Sequence, residues 1–160
     1  MNIFILDTDH YKNAMAHCDK HVVKMIIEYA QLLSTAHNVL DGIKSPEGIY
    51  KSTHINHPCA VWARKTDTNY IWLYQLFCAL CNEYTHRYNK NHKTQNLTRL
   101  LCNPPHNIEI GPKTPHPLCM PDTCKMEDSI ESYRKYYNDE KRSFCTWKNR
   151  EIPNWIIDNH

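Results

Sequence analysis

Apolar residues recur at helical spacing over the first quarter of the chain and predict a long helix there. The helix would begin near His10, with Asp7 or Asp9 as its cap. It would run to about Leu40, with a possible break at residues 18–19. Apolar side chains occupy most of its circumference, as in a helix that other elements surround. We therefore expect this helix to lie at the centre of the fold.

A second long helix is predicted at residues 68–88, where Thr66 and Asp67 supply capping side chains and apolar residues again follow a helical period. Pro58 fits the first turn of a shorter helix before it, because the missing N–H of proline costs least at that position. Two further helical segments are predicted towards the C-terminus, at residues 93–101 and 128–141.

Three segments are not predicted to be helical. NIFIL, at residues 2–6, is either a strand or an N-terminal segment packed across the core. A proline-rich loop at residues 103–122 is long enough to be either functional or held down by its own side chains. IPNWII, at residues 152–157, supplies an aromatic anchor. We predict one all-α domain over residues 1–160, a compact helical bundle with a short N-terminal apolar segment and a long proline-rich loop.

The composition is that of a globular protein with little charge bias. A formal net charge of +2, with basic residues interleaved among acidic ones, is smaller than most duplex-DNA-binding proteins carry. Eleven histidines would add positive charge as the pH falls. The N-terminal residues lack the features of a secretory signal, and no segment has the apolar length of a membrane span. We therefore expect a cytoplasmic protein with reduced thiols and no membrane partner.

The eight cysteines do not form a recognisable zinc motif along the sequence. Cys78 and Cys81 have C-x-x-C spacing, but they lie in the second long helix, where both fit as small core residues. Cys119 and Cys124 lie in or next to the proline-rich loop, yet no second pair nearby completes a four-ligand set. We therefore predict no metal and no cofactor.

A narrow polar stripe runs along the first helix. At about 100° per residue, seven side chains fall within one arc of roughly 100°. They are His17, Lys20, His21, Lys24, Glu28, Gln31 and Thr35. The polar stripe is either a solvated edge, with Lys24 and Glu28 as an i,i+4 pair, or the wall of a chemical site. Two histidines are unusual for a solvated edge, and a carboxylate beside lysine and histidine suits acid–base chemistry. On the second interpretation Glu28, Lys24 and His21 are catalytic, while His17 and Lys20 bind the ligand.

A second polar cluster, KSTHINHP at residues 51–58, stands immediately before the helix that Pro58 begins. Backbone N–H groups at a helix start bind phosphate or carboxylate, so this segment is a candidate anion site. Ordinary capping by Asn56 or His57 would explain the same residues. The ligand-binding candidates here are Thr53, His54, Asn56, His57 and Arg64.

Aromatic and basic residues alternate in a third cluster, at residues 132–155. The rings could stack on bases while the cations meet phosphates, or they could be core rings flanked by snorkelling cations. Tyr136 and Phe144 fit the core better, whereas Tyr137 fits either interpretation. The candidate ligand-binding residues of this cluster are Tyr133, Arg134 and Trp147.

Asp19, His21 and Glu28 give the chain a resemblance to a known family. D-x-H followed seven residues later by glutamate, on an N-terminal helix behind a short apolar leader, resembles the phage pyrimidine-dimer DNA glycosylase/lyases of the endonuclease V type. The resemblance implies a compact all-helical domain whose N-terminal α-amine attacks C1′ of the damaged nucleotide and forms a Schiff base. It makes Glu28 the acid–base and electrostatic residue and His21 a ligand-contacting residue. The chain also resembles uncharacterised small phage proteins that share CDKHVVKM and NHPCAVWAR, which indicates a viral origin.

The chain departs from that family's pattern near the glutamate and at the N-terminus. Ile27 and Gln31 stand beside Glu28 where the family has helix arginines. Asn2 stands where the family has a small residue that is exposed when the initiator methionine is removed. We therefore expect Met1 to be retained, and a lysine of the polar stripe would be the alternative amine nucleophile.

These patterns support two functions. The first is a phage protein that binds a nucleotide or nucleic acid through its phosphates and cleaves a glycosidic or phosphodiester bond by acid–base chemistry. The second is a non-catalytic binder on the same scaffold that sequesters a small, cyclic nucleotide used as a host-defence signal, for which a pocket with a few lysines and histidines suffices. A third hypothesis is a structural or protein-interaction module, in which His21, Lys24 and Glu28 have no chemical role.

Overall fold

Six α-helices build the fold in a computed structural model that describes residues 1–157. They are α1 (His10–Ala16), α2 (Asp19–Asp41), α3 (Pro58–Ala63), α4 (Asp67–Tyr88), α5 (Thr98–Leu101) and α6 (Ser129–Tyr136). A 3₁₀ turn, Lys93–Leu97, precedes α5, and a π-helical turn, Tyr137–Lys141, continues α6. No strand occurs in residues 1–157, and the predicted all-α fold is confirmed. None of the described helices is long and apolar enough to cross a membrane.

Side-chain caps mark where α1, α4 and α6 begin. Asp9, Thr66 and Asp128 each accept a hydrogen bond from the backbone N–H three residues later, at the starts of α1, α4 and α6. The predicted break near residues 18–19 is also confirmed, because His17 and Cys18 have extended backbone between α1 and α2. His17 therefore lies outside the helix that carries the rest of the polar stripe.

The core forms where α2 packs against α3 and α4, with α1 also packed on α4. Ile26, Tyr29 and Leu33 of α2 are fully buried. The exposed edge of α2 differs from the predicted stripe, since the apolar residues Val23 and Ile27 reach solvent while several members of the polar stripe do not. The members of the polar stripe differ in burial. Two are exposed (Lys20 and Lys24), two are half-buried (Glu28 and Gln31), and three are buried (His17, His21 and Thr35).

Residues 2–6 cross the core without forming a helix or a strand. Buried backbone groups need hydrogen-bond partners, and side chains supply them in this segment. The Phe4 N–H donates to Tyr29 Oη (3.1 Å), and the Leu6 N–H donates to Asn13 Oδ1 (3.0 Å). In return, Asn13 Nδ2 donates to the Phe4 carbonyl (3.2 Å) and Arg134 Nε to the Leu6 carbonyl (2.9 Å). Contacts from α1, α2 and α6 thus fix the course of the N-terminal segment.

A buried ion-pair network joins α2 and α4 to the C-terminal region. Arg87, fully buried, donates from Nε to Glu83 (2.8 Å) and from Nη1 to Asp19 (3.0 Å), while Arg150 donates to Glu83 (2.9 Å). Asp19 also accepts from Thr146 Oγ1 (2.7 Å). Burial raises the pKa of Glu83, but the hydrogen bonds from Arg150 and Arg87 outweigh it and hold that pKa below its usual value.

Candidate active site

The N-terminal amine and Glu28 lie together against α2. Met1 Nα is 3.5 Å from Glu28 Oε1, and Lys24 Nζ is 4.0 Å from Glu28 Oε2. The Met1 side chain is 4% exposed and that of Glu28 14%, whereas that of Lys24 is 64% exposed. A carboxylate held between two amines can stabilise positive charge on either one and can accept or return a proton.

Asn2 fixes the direction in which the amine points. Its side-chain oxygen accepts hydrogen bonds from Tyr133 Oη (2.7 Å) and from the Ile3 N–H (2.9 Å). Its Nδ2 donates to the Cys119 carbonyl (2.8 Å). Because Asn2 is buried and bonded on both sides, the residue before it has little freedom to move away from Glu28.

The loop between α2 and α3 borders the same amine. His57 Nδ1 accepts from the Cys59 N–H (3.1 Å) and so caps α3. Partial burial lowers the pKa of His57; the N-terminal amine and His54 lower it further, and Glu28 opposes them. The N-terminal amine and its carboxylate partner therefore both act electrostatically on His57.

Contacts with α2 and α3 hold this loop in place. The Thr53 N–H donates to Thr35 Oγ1 (3.2 Å), and Arg64 Nη1 donates to the Ile55 carbonyl (2.8 Å). His54 has a φ of 47°, a left-handed backbone that few residues other than glycine adopt. Asn56 is exposed. Arg64 therefore supports the loop, while His54 and Asn56 present their side chains at its surface.

Two histidines of the predicted site belong to the scaffold. His17 is fully buried, with Nδ1 donating to the Asn13 carbonyl (2.7 Å) and Nε2 accepting from Tyr29 Oη (2.8 Å). His21 is 5% exposed, stacks on Phe4 with ring centres 4.4 Å apart, and places Nδ1 2.6 Å from Tyr137 Oη. His21 lies two helical turns before Glu28, and both histidines hold the N-terminal segment.

In the third cluster, residues 132–155, the aromatic rings that are buried and those that reach solvent differ from the ones expected from the sequence. Tyr133 is fully buried, and Trp147, 7% exposed, donates from Nε1 to the Ala16 carbonyl (2.9 Å), so neither ring presents a face to solvent for stacking. Tyr136 and Phe144, which we expected in the core, are half-buried. Lys141 Nζ lies 4.9 Å from the Tyr136 ring centre, and Lys20 Nζ lies 4.6 Å from that of Phe144. Arg134 bonds the Leu6 carbonyl and lies over the Trp155 ring at 5.2 Å.

Comparison with known proteins identifies the family. A family model described as pyrimidine dimer DNA glycosylase matches residues 1–96, which is more than half of the chain. The chain belongs to this family. No curated protein and no solved structure matches it. The resemblance inferred from the sequence is confirmed, and membership establishes a DNA-glycosylase-like protein that acts on nucleic acid.

The three residues that carried the resemblance have different positions in this member of the pyrimidine dimer DNA glycosylase family. Only Glu28 lies beside the N-terminal amine, whereas Asp19 belongs to the ion-pair network and His21 to the buried aromatic contacts. Sequence reasoning missed Asn2 as the residue that positions the amine. The sequence feature that could have indicated this role is that Asn2 is a polar residue at the start of an otherwise apolar segment.

Proposed function

We propose that the protein is a DNA glycosylase with lyase activity, in which the Met1 α-amine is the nucleophile and Glu28 the acid–base residue. The observation that supports this is the 3.5 Å separation of Met1 Nα and Glu28 Oε1 in a chain of this family. Lys24 Nζ is the competing amine at 4.0 Å. We favour Met1 because α-amines as a class are less basic than lysine side chains, so that more of the nucleophilic, unprotonated form is present at neutral pH.

In the proposed reaction the unprotonated amine attacks C1′ of the damaged nucleotide. The N–C1′ bond forms as the glycosidic bond breaks, and the base leaves with the bonding electron pair. Glu28 accepts a proton from the attacking nitrogen and returns it to the sugar ring oxygen as the C1′–O4′ bond breaks, which leaves a protonated Schiff base. Loss of a C2′ proton then expels the 3′-phosphate with its electron pair, and water releases the amine.

The DNA would lie along the exposed edge of α2 and the adjoining loop. Lys20 and Lys24 are exposed on that edge, and His54 and Asn56 are exposed on the loop. These groups suit contacts with phosphates on either side of the damaged nucleotide. With a net charge of only +2, we expect few phosphate contacts and a shallow salt dependence of binding. A phage origin and action in the host cytoplasm stay predictions.

Borohydride trapping tests the proposal and identifies the nucleophile. The protein, with its first residue verified by intact mass, is incubated with oligonucleotides that carry a pyrimidine dimer or an abasic site. Sodium borohydride then reduces any Schiff base to a stable adduct. Peptide mapping should place the adduct on Met1, and the adduct should persist in Lys24→Met. Insertion of one glutamine after Met1, a residue too large for the initiator methionine to be removed, should abolish it by displacing the amine from Glu28.

A parallel incubation with small nucleotides, analysed by mass spectrometry, separates the alternatives. An adduct on Lys24 would retain the glycosylase and reassign its nucleophile. Recovery of intact, stoichiometrically bound nucleotide without any adduct would overturn catalysis in favour of a binder that sequesters a small nucleotide. If neither an adduct nor a bound ligand is found, the remaining hypothesis is a structural or protein-interaction module.

A further inference from the structure

Three potential metal ligands from separate parts of the chain meet beside the N-terminal segment. The ligand atoms of His57, Cys59 and Cys119 all lie within 4.8 Å of one another. The two sulfur atoms are 3.6 Å apart. Two thiolates bound to one tetrahedral zinc at 2.3 Å each lie about 3.8 Å apart, so the observed sulfur spacing is close to that of a shared metal.

The fold holds the three ligands in place. His57 is the N-cap residue of α3 and Cys59 lies in its first turn, with the His57 side chain bonded to the Cys59 N–H. Cys119 comes from the proline-rich loop, and its backbone is bonded on both sides, by Asn2 Nδ2 to its carbonyl (2.8 Å) and by its N–H to Tyr133 Oη (3.4 Å). Such preorganised ligands need little rearrangement to bind an ion.

The chemical state of the ligands also suits a metal. His57 Nδ1 accepts a hydrogen bond from the Cys59 N–H, which shows that this ring nitrogen is unprotonated and carries a lone pair. Cys59 is fully buried, whereas His57 and Cys119 are half-buried, so two of the three residues are in contact with solvent. Two thiolates and an imidazole select thiophilic divalent ions over magnesium or calcium.

We propose that His57, Cys59 and Cys119 bind one divalent cation of the zinc class, with water as the fourth ligand. The ion binds one ring nitrogen of His57 and both sulfur atoms, and the two thiol protons are released to solvent. The ion ties the start of α3 to the proline-rich loop. Because Cys59 Sγ lies 4.0 Å from Asn2 Oδ1, the ion also stiffens the surroundings of the residue that positions the amine. Metal binding does not depend on the proposed glycosylase chemistry.

The sequence predicted no metal because one of the three ligands lies far from the other two along the chain. Cys59 and Cys119 are 60 residues apart, and the pair that Cys119 forms with Cys124 lacked the second pair of a zinc motif. The C-x-x-C pair, Cys78 and Cys81, lies in α4 instead.

Zinc stoichiometry of the full chain tests the site. Protein purified with reduced thiols and without chelators is loaded with zinc, dialysed and analysed for metal content by mass spectrometry. We expect about one zinc per wild-type chain, and background zinc in Cys119→Ser and His57→Ala. Cys102→Ser removes an exposed cysteine outside the cluster and should retain the zinc. In competition with a chromogenic chelator, Cys119→Ser should lose at least about 100-fold in affinity, since even changes outside the ligand set cost 10–100-fold.

Cobalt substitution and thermal unfolding give readouts that do not depend on activity. The Co²⁺-loaded wild type should show a sulfur-to-cobalt charge-transfer band, and zinc should raise the unfolding temperature of the wild type but not of Cys119→Ser. Absence of zinc from the reduced wild type, or its retention in folded Cys119→Ser, overturns the proposal. So does a Cys59–Cys119 disulfide found in protein alkylated without reduction. If Cys119→Ser does not fold, the zinc stoichiometry and the cobalt band of the wild type decide whether the metal site exists.

Discussion

Glu28 is the residue on which the proposed chemistry depends most. Its carboxylate lies between the amines of Met1 and Lys24. We expect Glu28→Gln to lower the single-turnover rate of Schiff-base formation by about 10²–10⁴-fold, because glutamine keeps the shape but can neither accept nor return a proton. Glu47→Gln, at an exposed position, is the matched control. A Glu28→Gln variant that forms the adduct as fast as the wild type would remove Glu28 from the mechanism.

His17 should make the stability of the protein depend on pH. Burial lowers the pKa of His17 from 6.5 to about 3, so between these values the unfolded chain binds a proton that the folded chain does not. Stability should therefore fall as the pH falls below about 6.5, by about 2 kcal/mol from this residue between about pH 7 and pH 5. Urea unfolding at both pH values should show a smaller loss in His17→Gln than in the wild type. An equal loss in both would show that His17 does not carry the effect.

At the scale of elements, the contact between α6 and the N-terminal segment should affect catalysis more than stability. Tyr133→Phe removes the hydroxyl that donates to Asn2 Oδ1 (2.7 Å), although the Ile3 N–H still bonds this oxygen. We expect a loss of about 1–2 kcal/mol in stability. The adduct rate should fall by about tenfold or more, because small displacements of a reacting group are costly.

Tyr74→Phe provides the comparison for this prediction. It removes a hydroxyl that donates to the Thr98 carbonyl (2.7 Å) where α4 meets α5. It should cost similar stability and leave the adduct rate unchanged. If both variants slowed the reaction equally, the effect would come from general loosening of the fold and not from the position of Met1.

The elements that the sequence predicted well are those determined by nearby residues. Asp9, Thr66 and Asp128 each cap a helix by accepting a hydrogen bond from the backbone N–H three residues later, and such caps can be found in any short window of sequence. The position of Met1 beside Glu28 depends on Tyr133, which is 131 residues from Asn2. No local pattern contains that contact.

The polar stripe illustrates the same limit. A helical wheel groups His21 with Glu28, but it cannot tell a buried face with polar partners from a face that lines a cleft. Phe4 and Tyr137 bury His21, and they come from the two ends of the chain. Glu28 is only partly buried, and it contacts the amine at the start of the N-terminal segment.

At the scale of the whole molecule, the ion-pair network joins the part that matches the family to the part that does not. Asp19, Glu83 and Arg87 lie within residues 1–96, while Arg150 and Thr146 lie outside them. Arg87 is the centre of this network, with Glu83 only 4% exposed. Removing one member of a buried pair leaves the other charge without full compensation.

We therefore expect Arg87→Leu to lower the free energy of unfolding by about 3–5 kcal/mol. Urea denaturation should show this loss, and Arg99→Leu, at an exposed position, should change stability little. Adding Glu83→Gln to Arg87→Leu should recover part of the loss, because it removes the buried charge that Arg87 had compensated. A loss below about 1 kcal/mol in Arg87→Leu would mean that Arg150 alone satisfies Glu83. The Arg150–Glu83 ion pair and the Thr146–Asp19 hydrogen bond would then join the two parts of the chain without Arg87.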